Sequence, residues 1–214
     1  MTEGTVDLAQ MERWIRDFAA VVAENAQHLT DLDAAIGDAD HGINMDRGMA
    51  AVVAALDETP QPDLAALTKK VGMTLVSSVG GASGPLYGTF FLRLATGLGA
   101  VDSVSAADFA KALRAGVDGV VQRGRAEAGD KTMFDALAPA LDALDQSLAA
   151  GSDIGAALAD AQVAAERGRD ATEAMVARKG RASYLGQRSV GHLDPGATSA
   201  AMLIAAAATT FGAG

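Results

Sequence analysis

The chain has 214 residues, half of them hydrophobic, with a net charge of −10 and a pI near 4.6. That length suits one domain spanning 1–214, and the acidic balance excludes nucleic acid and anionic membrane as partners. The absence of cysteine excludes disulfides and thiol catalysis.

Aromatic residues make up only 4% of the chain and alanine roughly a fifth. Alanine favours helix and lets helices approach closely, and no alternating Val/Ile/Tyr run marks a strand. The class is all-α, and apolar periodicity predicts eight helices. The first carries Leu8, Met11, Ile15, Phe18, Val22 and Leu29, and the second runs from about Asn44 to Leu56. The third carries Leu64, Leu67, Val71 and Leu75, and the fourth Leu86, Phe90, Leu94 and Leu98. The fifth follows Phe109, Leu113, Val117 and Val120, and the sixth Phe134, Leu137, Leu141, Leu144 and Leu148. The seventh runs from about Ile154 to Val176, and the eighth from near Pro195 to about Thr210. The polar N-terminus is no signal peptide, and the apolar C-terminal run is too short and alanine-rich to span a membrane. A cytoplasmic protein is expected.

The connectors fall into two sets. Those before the third, fifth and seventh helices, "DETPQPD", "GAVDSVS" and "AAGSD", hold ordinary turn and cap residues. Those before the second, fourth, sixth and eighth read "GDADHGIN", "SSVGGASGPLYG", "RGRAEAGDKTM" and "KGRASYLGQRSVGHLDPGATS". Short connections make neighbouring helices antiparallel, so the four unusual connectors gather at one end, each feeding a helix N-terminus. Helix N-termini with glycine-rich approaches bind anions. Seven of the 17 basic residues lie in or beside two of these connectors: Arg123, Arg125, Lys131, Arg178, Lys179, Arg181 and Arg188. The connector 178–193 is long and basic enough to form a lid over such a site.

In "LDAAIGDADHGIN", Gly37 is a natural helix stop. If the chain turns extended there, Asp38 and Asp40 point the same way and Asp33, on the last helical turn, joins them. Three carboxylates beside a phosphate site suit Mg²⁺. Each motif has a plainer reading alone: a solvated helix end for the aspartates, a flexible turn for "GGASGP", N-caps for "GDKT" and "DPGATS", loop hydrogen bonds for His41 and His192. Their meeting at one end favours the joint reading.

Five motifs, "LDAAIGDADHGINMDRGM", "GMTLVSSVGGASGPLYGTFF", "GDKTMFDAL", "ARKGRASYLGQRS" and "GHLDPGATSA", closely resemble the ADP-binding L subunits of dihydroxyacetone kinases, in order over nearly the whole chain. The resemblance implies an antiparallel eight-helix barrel with the nucleotide across one end. It implies two Mg²⁺ ions on Asp33, Asp38 and Asp40, with ADP or ATP on His41, Gly42, Ile43 and Asn44 and on the phosphate loop Gly80, Gly81, Ala82 and Ser83. Gly124, Met133, Arg181, Asp194, Pro195 and Gly196 match further nucleotide-contacting positions. No catalytic acid or base is assigned to this chain. The partners implied are a K subunit that holds dihydroxyacetone and a phosphohistidine donor protein of the phosphotransferase system; a homodimer is compatible with the sequence. An ATP-dependent kinase of a related ketose and a nucleotide-sensing regulatory module are the alternatives.

Overall fold

The computed structural model describes residues 4–213. Nine α-helices appear among them: α1 Leu8–Glu24, α2 Ala26–Ile36, α3 His41–Glu58, α4 Leu64–Ser78, α5 Ser83–Leu98, α6 Ala106–Gly124, α7 Met133–Ala149, α8 Ile154–Ala171 and α9 Pro195–Gly212. The first expected helix is thus two. At Asn25 the side-chain amide and the backbone N–H both bond back to the Val21 carbonyl, closing α1 before α2 begins. Asparagine competes in this way with helix continuation. The seventh expected helix ends at Ala171, with a 3-10 turn at Thr172–Ala174, and a 3-10 segment Arg181–Ser189 occupies the following connector.

Going round the molecule, α1 packs on α3, α3 on α4, and so on through α8 and α9, and α9 returns to α1. The helices therefore close into an antiparallel eight-membered barrel, with α1 and α2 forming one member. The seam is filled by Trp14, whose ring centroid lies 6.1 Å from Phe91, 6.0 Å from Phe109 and 6.2 Å from Phe211. Its indole Nε1–H donates to the Leu203 carbonyl of α9 at 2.9 Å.

Helix polarity sorts the two ends. At one end α1, α4, α6 and α8 begin, each closed by a side-chain cap from Asp7, Asp63, Ser105 or Asp153. A short antiparallel ladder also lies there, unannounced by the sequence: β1 Thr5–Asp7 pairs with β2 Ser103–Ser105, joining the starts of α1 and α6. At the other end α3, α5, α7 and α9 begin. Thr132 caps α7 and Asp194 caps α9. Neither Asp40, at the start of α3, nor Ala82, at the start of α5, provides a side-chain cap. An N-terminus without a cap of its own leaves N–H groups for another acceptor, and this asymmetry singles out the second end.

Candidate functional site

Asp33 is buried on the last turn of α2, and its Oδ2 accepts from the backbone N–H of Asp40 (2.9 Å) and of His41 (3.2 Å). It therefore caps α3 from a neighbouring helix. Gly37 makes that possible: a Cβ there would lie 2.0 Å from Asp33 Oδ1. The chain beyond Gly37 is not extended as the sequence suggested. Ala39 takes a left-handed conformation (φ 61°) and Asp40 a helical one, so the turn is tight. The carboxylates still converge: one oxygen from each of Asp33, Asp38 and Asp40 lies within 4.8 Å of the others. A cluster of hard oxygens at this spacing fits a divalent cation such as Mg²⁺. Arg181 Nε reaches Asp38 Oδ2 at 2.9 Å across the cluster.

Residues His41 to Asn44 form the first turn of α3 rather than a loop. Gly42 packs against α2, where a Cβ would meet the Ala26 carbonyl oxygen at 1.9 Å. Asn44 accepts from Arg47 Nη2 at 2.8 Å, and Arg47 Nε donates to the Ser78 carbonyl at 3.2 Å. The Asn44 amide also abuts Gly80, leaving no room for a side chain there. Asn44 and Arg47 thus brace the glycine loop; Arg47 went unmarked in the sequence because an arginine one turn into a helix reads as solvated.

His41 is buried and joins three helices. Its Nδ1 shares a hydrogen bond with Ser83 Oγ of α5 (2.9 Å), and its Nε2 with Ser199 Oγ of α9 (2.9 Å). Ser199 Oγ in turn bonds the buried Tyr87 hydroxyl at 2.7 Å. Burial lowers the His41 pKa from its ordinary value, against the pull of Asp33 and Asp40, so the ring is neutral at pH 7. Burial likewise raises the Tyr87 pKa.

Two adjoining clefts open at this end. The larger, about 340 Å³, has mostly apolar walls that include Leu86, Tyr87, Val120, Gly124, Ala126 and Met133. The smaller, about 140 Å³, holds Asp33, Asp38 and Asp40 with Gly81, Arg181 and Pro195. His41, Ala82, Ser83, Lys179, Gly180 and Asp194 line both, and Gly196 lines the larger. Gly42, Ile43, Asn44 and Gly80 are not in either wall; Ile43 is 59% exposed at the rim. Of the seven basic residues expected to gather here, Arg123, Lys131, Lys179 and Arg181 line a cleft. The Lys131 ammonium, however, is turned inward onto backbone carbonyls. An apolar chamber beside a carboxylate chamber, at the uncapped start of α5 and the start of α3 that Asp33 caps, matches the division of a nucleotide into base and metal-bound phosphates.

Asp194 is enclosed in the shared wall, and burial pushes its carboxyl up to about 7, against the Ala197 N–H and Lys131, which favour its charge. The folded form therefore keeps a proton between about pH 4 and pH 7 that the unfolded form has lost, so this group's contribution to stability falls as pH rises through that window. Urea titrations without metal are expected to show Asp194→Asn, which can still cap α9, gaining about 3 kcal/mol on the parent from pH 4 to pH 7. A pH-independent difference would mean that Asp194 is ionised throughout.

The fold and the paired clefts define a helical nucleotide-binding barrel, and the chain belongs to the DAK2 domain family, which matches residues 35–209. It is 47% identical over 190 residues to the ADP-binding subunit of the PEP-dependent dihydroxyacetone kinase of Escherichia coli, covering 89% of this chain and 90% of that one. It is 48% identical over 193 residues to the ADP-binding subunit of the PEP-dependent dihydroxyacetone kinase 1 of Listeria innocua, with the same coverage. Among solved structures, the dihydroxyacetone kinase of C. freundii in complex with AMP-PNP and Mg²⁺ superposes with a TM-score of 0.73 at 28% identity. That match covers 96% of this chain but only 34% of the C. freundii chain.

Proposed function

We propose that this chain is the ADP-binding subunit of a dihydroxyacetone kinase. Its bound nucleotide relays a phosphoryl group from a phosphohistidine donor protein of the phosphotransferase system to dihydroxyacetone held on a separate K subunit. The observation that carries this reading is the apolar cleft opening directly onto the converged carboxylates of Asp33, Asp38 and Asp40. The chain spans 90% of each of two ADP-binding subunits and a third of a larger kinase chain, which supports the ADP-binding role.

In this reading Leu86, Val120, Gly124 and Met133 enclose the base. The start of α5, from Gly81 through Ser83, presents backbone N–H groups to the phosphates. His41 stays neutral and holds the Ser83 hydroxyl in place. Lys179 and Arg181 cover the phosphates from the connector, while Asp194, Pro195 and Gly196 close the wall between the chambers. Gly42, Ile43, Asn44 and Gly80 act from behind, by setting the position of α3 and of the glycine loop. Asp33, Asp38 and Asp40 would hold two Mg²⁺ ions. Mg²⁺ held there would supply charge neutralisation for phosphate oxygens and for the transferred phosphoryl group. What the chain itself contributes is positioning and exclusion of water, with no acid–base step.

The test is turnover with a K-type partner and radiolabelled ADP pre-bound to this chain. The expected result is sustained phosphorylation of dihydroxyacetone that requires the phosphohistidine donor, with the label retained over many cycles. If free ATP supports full turnover without that donor and the label washes out within one cycle, the chain serves an ATP-dependent kinase instead.

A further inference from the structure

Lys131 is the one lysine among the largest fully buried side chains, 1% exposed. Its Nζ donates to three backbone carbonyls: Met175 (3.2 Å), Ser189 (2.6 Å) and His192 (2.6 Å). Met175 lies where the connector between α8 and α9 begins, and Ser189 and His192 lie where it returns. One ammonium thus draws the two limbs of a long connector together. The residue before it helps, since the Asp130 carbonyl accepts from Arg178 N at 3.0 Å. The limbs also meet directly, where Ala177 N donates to Ser189 Oγ at 2.9 Å. Beyond this fastened base the connector runs through Gly180 and Gly186, both at positive φ, and carries Lys179, Gly180, Arg181 and Ala182 onto the cleft wall.

Two further observations separate Lys131 from an ordinary buried lysine. Its backbone is left-handed (φ 63°), a conformation that suits glycine or asparagine, so lysine occupies the position against the backbone's preference. Among the described residues no carboxylate lies within ion-pair distance of Nζ, and burial lowers its pKa against the weaker pull of Asp194 and Glu173. Its bonding is spent on the connector.

We propose that Lys131 is a positioning residue that fastens the 175–192 connector and so sets how long the cleft keeps its nucleotide. This rests on the reading that the cleft binds Mg-ADP. With the tripod gone, the limbs separate, Lys179 and Arg181 lose their fixed place, and the nucleotide leaves sooner. The ammonium itself does not touch phosphate.

The test compares wild type with Lys131→Met and Lys131→Gln by amide hydrogen exchange without nucleotide and by Mg-ADP dissociation in stopped flow. In Lys131→Met, amides of 176–192 are expected to exchange at least 10-fold faster while those in the middle of α5 and α9 keep their rates. Mg-ADP should dissociate at least 10-fold faster, with its association rate little changed. Lys131→Gln, whose amide can serve two of the three carbonyls, should fall between. A variant that loses protection everywhere together, or that keeps connector exchange and dissociation at wild-type rates, overturns the proposal. A measurement on the wild type stands independently of variant folding: the Lys131 ammonium should give a slowly exchanging side-chain ¹⁵N–¹H signal, and solvent-rate exchange there is equally fatal. Failure of wild type to bind Mg-ADP would defeat the reading of the cleft but leave the exchange comparison intact as a test of the fastening.

Discussion

Asp33→Asn is expected to reduce Mg-ADP affinity at least 100-fold by calorimetry, with Asp38→Asn and Asp40→Asn behaving alike. The barrel should survive. An asparagine carbonyl can still accept from the N–H groups of Asp40 and His41, which Asp33 Oδ2 now serves. Removing one of three mutually repelling charges should leave the free protein as stable or more so. Without bound metal, two carboxylates about 5 Å apart repel by roughly 1–3 kcal/mol at effective dielectric constants of about 20 or more, and Arg181 offsets that only at Asp38. The contrast with ligand present should be large, because Mg-ADP at about 1,000 times its dissociation constant adds roughly 4 kcal/mol to the parent. The variants, and the parent with ADP in excess EDTA, should lack this increment. Unchanged Mg-ADP affinity in the asparagine variants would dismiss these aspartates as metal ligands.

The largest loss of stability is expected from Trp14→Ala. Trp14 is fully buried at the seam where α9 closes onto α1, ringed by Phe91, Phe109 and Phe211. Truncating a buried tryptophan costs about 3–5 kcal/mol, because the cavity it leaves collapses only in part. Here the indole's bond to the Leu203 carbonyl is lost as well. Denaturant titration should show the midpoint falling with little change in slope. Trp14 lines neither cleft, so the folded fraction should bind Mg-ADP as the parent does. A loss below about 1 kcal/mol would mean that the seam does not hold the barrel closed.

The helical barrel could be read in the sequence because each wall helix repeats its apolar residues every three or four positions, and because cap residues punctuate the connectors. Asp33, Asp38 and Asp40 could be grouped because they lie within eight residues of one another. What escaped was set by detail that leaves no periodic trace. Val22 and Leu29 stand seven residues apart, two helical turns, so the apolar pattern runs unbroken across the interruption at Asn25. Ala39 carries no mark of its left-handed turn, since alanine is a residue that favours helix. Strands of three residues, such as β1 and β2, are too short for alternation to register. Lys131 was grouped with the basic residues of an anion site because lysine is almost never fully buried; only the folded chain brings three carbonyls to one point. The link from Tyr87 through Ser199 to His41 joins residues more than 100 positions apart, beyond the reach of any local pattern.

The capped end of the barrel has a consequence for chain connectivity. Gly4 approaches Ile154 at the start of α8, and on the next residue a Cβ at Gly155 would lie 2.9 Å from the Cα of Gly212. The first and last described stretches therefore both lie against the first turn of α8, at the face turned away from the clefts. A short bridge there would make α9 and α1, already packed side by side, continuous in sequence, and the break could be moved to the exposed turn between α3 and α4. Such a circularly permuted barrel would keep every wall contact and every residue of the mouth. The order in which the helices are synthesised is thus separable from the ring they form.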